Sequence, residues 1–154
     1  MMLSQFLDIE AVRIDLAANN KRQLVNQLAQ IAGARLGVEL SLIADAIGDR
    51  ERLGSTGFGG GVAIPHGKLP GLDRVYALAA RLSVPVDYKA IDGGKVDLVF
   101  LLLSPPDAGV DHLKALASVS RLVRNAATVE KLRGARNRDA LVAVLLGVDE
   151  RDAA

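Results

Sequence analysis

The sequence predicts a single α/β domain over residues 1–154, with helices on both faces of a mixed β-sheet. Segments of helical periodicity alternate with short apolar segments typical of strands, which is the pattern of α/β folds. Two strand segments between Val75 and Leu103 have the spacing of a hairpin, so part of the sheet should be antiparallel. Half of the residues are hydrophobic and 3% are aromatic, which predicts an aliphatic core.

The first half of the chain predicts one strand and two helices. Residues 11–16 alternate apolar and polar side chains, as in a strand with one buried face. Asn19–Asn20 are expected to form a turn and the cap of the next helix. Apolar residues then recur at helical spacing for about four turns, and Gly37 marks the end of this helix. Ser41 is expected to cap a second helix, which ends in the charged residues 49–52.

The middle of the chain predicts strands. Residues 62–66 should form a short strand, because Pro65 favours extended backbone in the residue before it. Residues 75–84 are a longer strand candidate, whose alanines leave a helix open as the alternative. Residues 92–94 (Asp-Gly-Gly) predict a turn, and the apolar residues 96–103 predict a central strand covered on both faces.

Three helices are expected in the final part of the chain. The first begins near Gly109. Its expected buried residues are Leu113, Leu116, Ala117, Ser120 and Val123. Thr128 is expected to cap a short helix that ends at Leu132, and Asn137 to cap the last helix.

Charge and composition argue against several classes of protein. The net charge is +1, whereas broad binding to nucleic acid or to an anionic membrane requires a basic excess. The most apolar run, Val96 to Leu103, is far shorter than the about 20 residues that span a bilayer, and no signal peptide is expected at the N-terminus. We therefore expect neither membrane insertion nor nucleic-acid binding. The absence of cysteine suits the reducing cytoplasm, where we expect the protein.

The segment 54–68 carries the strongest functional signal. It places His66, one of two histidines, after several glycines and a short apolar strand. In a chain without cysteine, His66 is the best candidate for a nucleophile. Glycines such as Gly57 and Gly67 let backbone N–H groups approach an anion closely, which suits acceptance of a phosphoryl group. A structural histidine beside a long flexible loop is the alternative. The Gly-Lys-Ser/Thr motif of a nucleotide-binding loop is missing.

Four further residues are candidates for the same site. His112 lies in the first turn of a helix that follows a central strand, where a neutral imidazole can donate to a phosphoryl oxygen; a surface or capping histidine is the alternative. Arg50, at a helix C-terminus, can meet a phosphoryl group or a carboxylate of a partner protein, or only complement the helix dipole. Ser55 and Thr56 can donate to an anion or shape the turn.

Other functions remain open beside phosphoryl carriage. Both histidines and nearby aspartates could converge on zinc, but their spacing shows no metal motif, and a serine hydrolase lacks its Gly-x-Ser-x-Gly elbow. We expect no metal and no cofactor. A regulatory binding module is compatible with phosphoryl carriage, and Phe58, Ile64 and Leu69 are candidates for the apolar rim of its docking surface. Burial in the core is the alternative for Ile64.

Two motifs carry a resemblance to a known family. Residues 50–57 (Arg-Glu-Arg-Leu-Gly-Ser-Thr-Gly) are followed by residues 63–68 (Ala-Ile-Pro-His-Gly-Lys). The match continues through residues 90–92, 96–98 and 112–113. In these motifs the chain resembles the enzyme IIA proteins of the mannitol/fructose type, which belong to the bacterial phosphoenolpyruvate-dependent phosphotransferase system. It most resembles the nitrogen-regulatory branch of that family.

The resemblance implies a single IIA type-2 domain over residues 1–154, with a mixed sheet flanked by helices. It implies that His66 is phosphorylated, that His112 helps to hold the phosphoryl group, and that Arg50 belongs to the same site. The implied donor is a phosphocarrier protein similar to HPr, and the implied regulatory targets are transporters or sensor kinases. The chain is then a phosphotransferase-system component rather than a small-molecule enzyme. The alternative is a fructose- or mannitol-type IIA component that passes phosphate to a IIB protein for sugar uptake.

Overall fold

A six-stranded mixed sheet organises the computed structural model, which describes the backbone of residues 1–153 and the side chains of residues 1–147. The strands are β1 (Arg13–Leu16), β2 (Gly57–Gly59), β3 (Val62–Ala63), β4 (His66–Lys68), β5 (Tyr76–Val86) and β6 (Val96–Ser104). Their order is β1-β5-β6-β3-β2, and β4 also pairs with β6. Strands β5 and β6 are antiparallel, whereas β3 and β4 run parallel to β6, so the predicted mixed sheet is confirmed. Residues 75–84, for which the sequence allowed either a strand or a helix, lie almost entirely in strand β5.

Strand β6 lies at the centre of the sheet because its sequence is apolar on both faces. It is paired with β5, β3 and β4. Leu98 and Phe100 belong to one hydrophobic core, and Val99 and Leu101 to another. The predicted central strand at residues 96–103 is therefore confirmed, and the two cores share it.

Within the described residues, five α-helices cover both faces of the sheet, as predicted. They are α1 (Lys21–Leu36), α2 (Leu40–Glu51), α3 (Val110–Arg124), α4 (Ala126–Gly134) and α5 (Arg138–Ala153). Helices α1 and α2 contribute Leu28 and Ile47 to the core that contains Leu101. Helices α3 and α5 contribute Val119 and Leu145 to the other core. None of the helices, as far as the chain is described, combines the length and the apolar content needed to cross a membrane.

Two predicted helix caps are wrong and two are confirmed. The Oδ1 of Asn20 accepts the N–H of Gln23 at 2.9 Å at the start of α1. Helix α2 begins at Leu40, because the connection after α1 is short, so Ser41 already lies inside the helix. Asn125 rather than Thr128 caps α4, since the Asn125 Oδ1 accepts the N–H of Thr128 at 3.1 Å. The Oδ1 of Asn137 accepts an N–H from the first turn of α5 at 2.8 Å, so this cap is confirmed.

Helix α3 buries a different stripe from the predicted one. The buried residues are Ala115, Ser118, Val119, Leu122 and Val123, of which only Val123 was expected. Leu113 is 65% exposed. Both stripes are apolar, so helical periodicity alone did not distinguish them. Packing against the sheet and α4 selects the observed stripe, which also carries His112.

The segment that leads to His66 forms two strands rather than one. Pro65 has no N–H to donate to β6, so the ladder is interrupted between Ala63 and His66. The carbonyl oxygen of Pro65 still accepts the N–H of Leu102 at 3.0 Å. This contact keeps the start of β4, and with it His66, beside the C-terminal end of β6.

Candidate functional site

One pocket brings together four of the residues predicted from the sequence. It is lined by Ala46, Asp49, Arg50, Leu53, His66, Gly67, Lys68 and His112. Arg50 comes from the last turn of α2, His66 and Gly67 from β4, and His112 from the first turn of α3. Residues remote in the sequence therefore meet at one end of β6.

The hydrogen bonds of His66 fix which ring nitrogen can act as a nucleophile. The Arg50 Nε lies 3.2 Å from the His66 Nε2. Because a guanidinium only donates, this Nε2 carries the lone pair and the ring hydrogen is on Nδ1. The Nδ1–H donates to the carbonyl oxygen of Ile64 at 2.7 Å. The imidazole is thus held from both sides, with the nucleophilic nitrogen facing the pocket.

Burial keeps His66 neutral. Desolvation lowers its pKa, the positive charge of Arg50 adds to that effect, and the hydrogen bond to Ile64 opposes it. A neutral imidazole at neutral pH needs no general base before it attacks an electrophile.

His112 is the second imidazole of the pocket. The centres of its ring and of the His66 ring are 5.7 Å apart, with the ring planes tilted by 50°. Desolvation lowers the pKa of His112 to about 4, and the neighbouring Lys68 and His66 act in the same direction. Its Nδ1 lies 2.6 Å from the Oγ of Ser104, the last residue of β6.

Gly67 allows α2 to approach β4 closely. A Cβ atom at Gly67 would lie 3.0 Å from the backbone of Ala46, which is closer than carbon atoms normally pack. Ala46 lies one helical turn before Arg50, so the missing side chain lets Arg50 reach His66. Gly67 thus has a steric role at the site, in addition to lining it.

Ser55, Thr56 and Gly57 do not line the pocket. The Ser55 Oγ accepts the N–H of Gly57 at 3.0 Å, which shapes the turn. The Thr56 hydroxyl is buried and donates to the carboxylate of Glu51, the residue that follows Arg50. These contacts hold the loop after α2.

Glu51 is the centre of a partly buried polar cluster that the sequence did not reveal. Lys21 donates to it at 2.7 Å and the Tyr88 hydroxyl at 2.9 Å, in addition to Thr56. Burial acts to raise the pKa of Glu51, but the hydrogen bonds from Lys21, Thr56 and Tyr88 together lower it. The charged segment 49–52 signalled a helix end, but no sequence signal indicated its contact with Tyr88.

The glycines at positions 59–61, which belong to the glycine-rich segment 54–68, lie away from the pocket. Gly59 ends β2, and Gly60 and Gly61 form the turn to β3. Val62 after them pairs with Leu98, whereas His66 pairs with Leu102. At about 3.3 Å per residue, these positions on β6 are about 13 Å apart. The N–H of Gly60 donates to Asp92 instead.

The predicted apolar rim also needs correction. Ile64 and Leu69 are buried, because both are needed in the two cores. Phe58 is exposed but does not line the pocket. The apolar residue at the mouth of the pocket is Leu53, which is 84% exposed. Among the described residues, no group of three or more histidine, cysteine or acidic side chains is arranged to hold a metal ion.

Comparisons with known proteins agree on one family. Residues 5–147 match the model of the family described as "Phosphoenolpyruvate-dependent sugar phosphotransferase system, EIIA 2". The chain is 44% identical over 145 residues to a nitrogen regulatory protein of Bradyrhizobium diazoefficiens, covering 94% of this chain and 95% of that one.

Two solved structures are similar in fold. The crystal structure of the nitrogen regulatory protein IIA-Ntr from Neisseria meningitidis has a TM-score of 0.87 at 28% identity, covering 93% of this chain and 98% of that one. The crystal structure of IIA mannitol from Escherichia coli has a TM-score of 0.74 at 18% identity, covering 90% of this chain and 97% of that one. The second likeness shows the fold alone.

Proposed function

This chain belongs to the EIIA type-2 family of the phosphoenolpyruvate-dependent sugar phosphotransferase system, and we propose that it carries its phosphoryl group on the Nε2 of His66. The observation that carries this assignment is the pair of hydrogen bonds at His66. The Ile64 carbonyl oxygen accepts a hydrogen bond from Nδ1–H, so the lone pair of Nε2 faces the pocket beside Arg50 and His112.

The transfer needs no proton movement at the attacking nitrogen. The Nε2 of neutral His66 forms a bond to phosphorus while the N–P bond of a donor phosphohistidine breaks, and the donor nitrogen keeps the electron pair. Charge spreads over the equatorial phosphoryl oxygens, and the groups that meet it are the Arg50 guanidinium and the His112 imidazole. The Nδ1–H of His66 stays hydrogen-bonded to the Ile64 carbonyl oxygen throughout the transfer.

Membership of the family implies phosphoryl exchange with HPr-like donors and IIB-type acceptors. The 44% identity to a nitrogen regulatory protein favours a regulatory carrier, which signals by its phosphorylation state. We further propose that this signalling takes place in the cytoplasm and that the targets are transporters or sensor kinases, which phosphorylation of His66 would engage or release.

Labelling with a phosphorylated HPr-like carrier tests the assignment of His66. We expect His66→Ala to accept no acid-labile phosphate and His112→Ala to accept it at a reduced rate, because only the first removes the nucleophile. Fragmentation of the intact labelled protein in a mass spectrometer shows which residue carries the phosphoryl group. Full labelling of His66→Ala would refute the assignment.

The alternative function, delivery of phosphate to a IIB protein for sugar uptake, uses the same residue. It is distinguished by adding a fructose-type IIB protein to the labelled chain. Slow or absent transfer, together with a set of protein partners that differs between the wild type and His66→Asp, supports the regulatory role. Rapid transfer with identical partner sets supports the sugar-uptake role.

A further inference from the structure

Ser104 places a buried hydroxyl directly on the second imidazole of the pocket. It is the last residue of β6, is 0% exposed, and its Oγ lies 2.6 Å from the Nδ1 of His112. Its position is fixed by the sheet, since its carbonyl oxygen accepts the N–H of Leu69 at 2.8 Å and its Cα pairs with Lys68. The hydroxyl is therefore held on a rigid strand end rather than on a loop.

The direction of this hydrogen bond follows from the surroundings of Ser104. His112 is neutral near pH 7, so one of its two ring nitrogens carries a hydrogen and the other accepts. Within the described part of the chain, the Nδ1 of His112 is the one hydrogen-bond partner of the Ser104 Oγ. If Nδ1–H donated to Ser104, the hydroxyl hydrogen would be buried without an acceptor, which costs more than the hydrogen bond contributes. Ser104 therefore donates to Nδ1, and the ring hydrogen of His112 lies on Nε2.

We propose that Ser104 is a positioning residue that holds His112 in its Nε2–H tautomer, so that His112 donates a hydrogen bond to a phosphoryl oxygen on His66. The two imidazoles then have opposite tautomers, since His66 keeps its hydrogen on Nδ1. One ring offers a lone pair to phosphorus and the other offers a hydrogen to oxygen. The same hydrogen bond occupies the remaining lone pair of His112, which keeps this ring from competing as a nucleophile.

The tautomer is measured on unphosphorylated protein, which separates this test from the proposed function on which the inference rests. Long-range ¹H–¹⁵N correlation spectra of protein labelled on histidine distinguish a protonated from an unprotonated ring nitrogen. With two histidines in the chain, His66→Gln assigns the signals of His112. We expect Nε2 protonated and Nδ1 unprotonated in the wild type, and a mixture of both tautomers in Ser104→Ala.

Ser118→Ala is the matched control for the spectra. It removes another buried serine hydroxyl, on the helix that carries His112, whose hydrogen bonds go to the backbone of Met1 and Lys114 instead. The tautomer of His112 should stay unchanged in this variant. A wild-type His112 with its hydrogen on Nδ1, or one tautomer in both Ser104→Ala and the wild type, would overturn the proposal.

A double-mutant cycle tests the consequence for transfer. We expect Ser104→Ala to slow phosphorylation by an HPr-like carrier by about 3- to 10-fold, the effect of one neutral hydrogen bond. In a His112→Ala background the same change should have no further effect, because the ring that Ser104 positions is gone. Ser104→Thr keeps the hydroxyl donor, so His112 should keep its Nε2–H tautomer in this variant. An equal slowing in both backgrounds would show a merely structural role and contradict the proposal. Labelling located on a residue other than His66 would instead contradict the proposed function.

Discussion

Arg50 sets a condition on the proposed reaction, because its Nε donates to the His66 Nε2, the nitrogen proposed to attack phosphorus. The guanidinium has to move from the ring nitrogen to the phosphoryl oxygens as the new bond forms. It then contacts the phosphoryl oxygens in the transition state and product, and an interaction made first in the transition state contributes most to the rate.

We therefore expect Arg50→Gln to slow phosphorylation of His66 by about 100-fold, the usual effect of losing one charge-stabilising donor. Arg52→Gln is the matched control, because Arg52 lies on the same helix end but pairs with Asp49 at the surface. Rates are compared with a phosphorylated carrier in excess. Equal rates for both variants would contradict a role for Arg50 in the transfer.

Gly67 connects the packing of α2 to the geometry of the pocket. We expect Gly67→Ala to lower the free energy of unfolding by about 1–3 kcal/mol, because the new Cβ would lie 3.0 Å from the backbone of Ala46. It should also slow phosphorylation by moving Arg50 away from His66. Urea unfolding and transfer kinetics measure the two effects.

Gly48→Ala is the control for this substitution. Gly48 lies within α2 with no atom closer than 4.0 Å to its added Cβ, so an alanine there should raise the free energy of unfolding by up to about 1 kcal/mol. If both alanine variants were equally stable and active, the close approach at Gly67 would not matter.

The two imidazoles make stability depend on pH. Burial lowers the pKa of His112 to about 4, whereas an exposed imidazole in the unfolded chain has a pKa of about 6.5. Between these values the unfolded state binds more protons, so the free energy of unfolding falls as the pH drops through this window. His66 contributes with the same sign, because burial lowers its pKa too.

Urea unfolding at pH 7 and pH 5 measures this dependence. We expect a lower free energy of unfolding at pH 5, and a smaller difference between the two values in His112→Gln. A difference of the same size in His112→Gln and the wild type would show that His112 does not titrate as its burial requires.

At the scale of secondary structure, α3 links the core to the pocket through its rotation. The stripe of Ala115, Val119 and Leu122 faces the sheet, and His112 extends the same stripe to the site. Leu113 is turned outward next to His112. The surface beside the pocket is therefore more apolar than the sequence pattern suggested.

A pair of alanine substitutions on α3 tests this rotation. Leu122 is 3% exposed, so Leu122→Ala should lower the free energy of unfolding by about 2–5 kcal/mol. Leu113→Ala should change it by no more than about 0.5 kcal/mol, as is usual at an exposed position. The reverse order, measured by urea unfolding, would mean that the predicted stripe is the buried one.

The elements also show what a sequence can and cannot predict. Long apolar or periodic segments, such as β6 and α1, were predicted because burial of their own side chains determines them. Within the site, the motifs around Arg50 and His66 indicated both residues. Ser104 and Glu51 were missed because their partners, His112 and Tyr88, become neighbours only in the folded chain.

At the scale of the whole molecule, two cores lie on opposite faces of one sheet and share its central strand β6. Each face of β6 packs against its own set of helices, and its backbone is paired with β5 on one side and with β3 and β4 on the other. Separation of either core from the sheet would expose half of this strand, so the two cores should unfold together.

We expect the backbone amides of β6 and of the paired part of β5 to exchange hydrogen most slowly, through global unfolding. The amides of the edge strands β1 and β2 should exchange faster, because each is paired on one side and is short. Native-state exchange followed by mass spectrometry measures both groups. Protection in β2 equal to that in β6 would contradict this order.

The guanidinium of Arg50 joins the interior of the pocket to the outside by a single side chain. Its Nε holds the ring of His66, its Nη1 holds the carbonyl oxygen of Gly54 at 3.0 Å, and the residue before that glycine is the exposed Leu53. If this guanidinium turns toward a phosphoryl group on His66, its hydrogen bond to the Gly54 carbonyl oxygen must change as well. In the proposed reaction, phosphorylation of His66 would therefore change the backbone contact at Gly54, one residue from the exposed Leu53, without any hinge or subunit rotation.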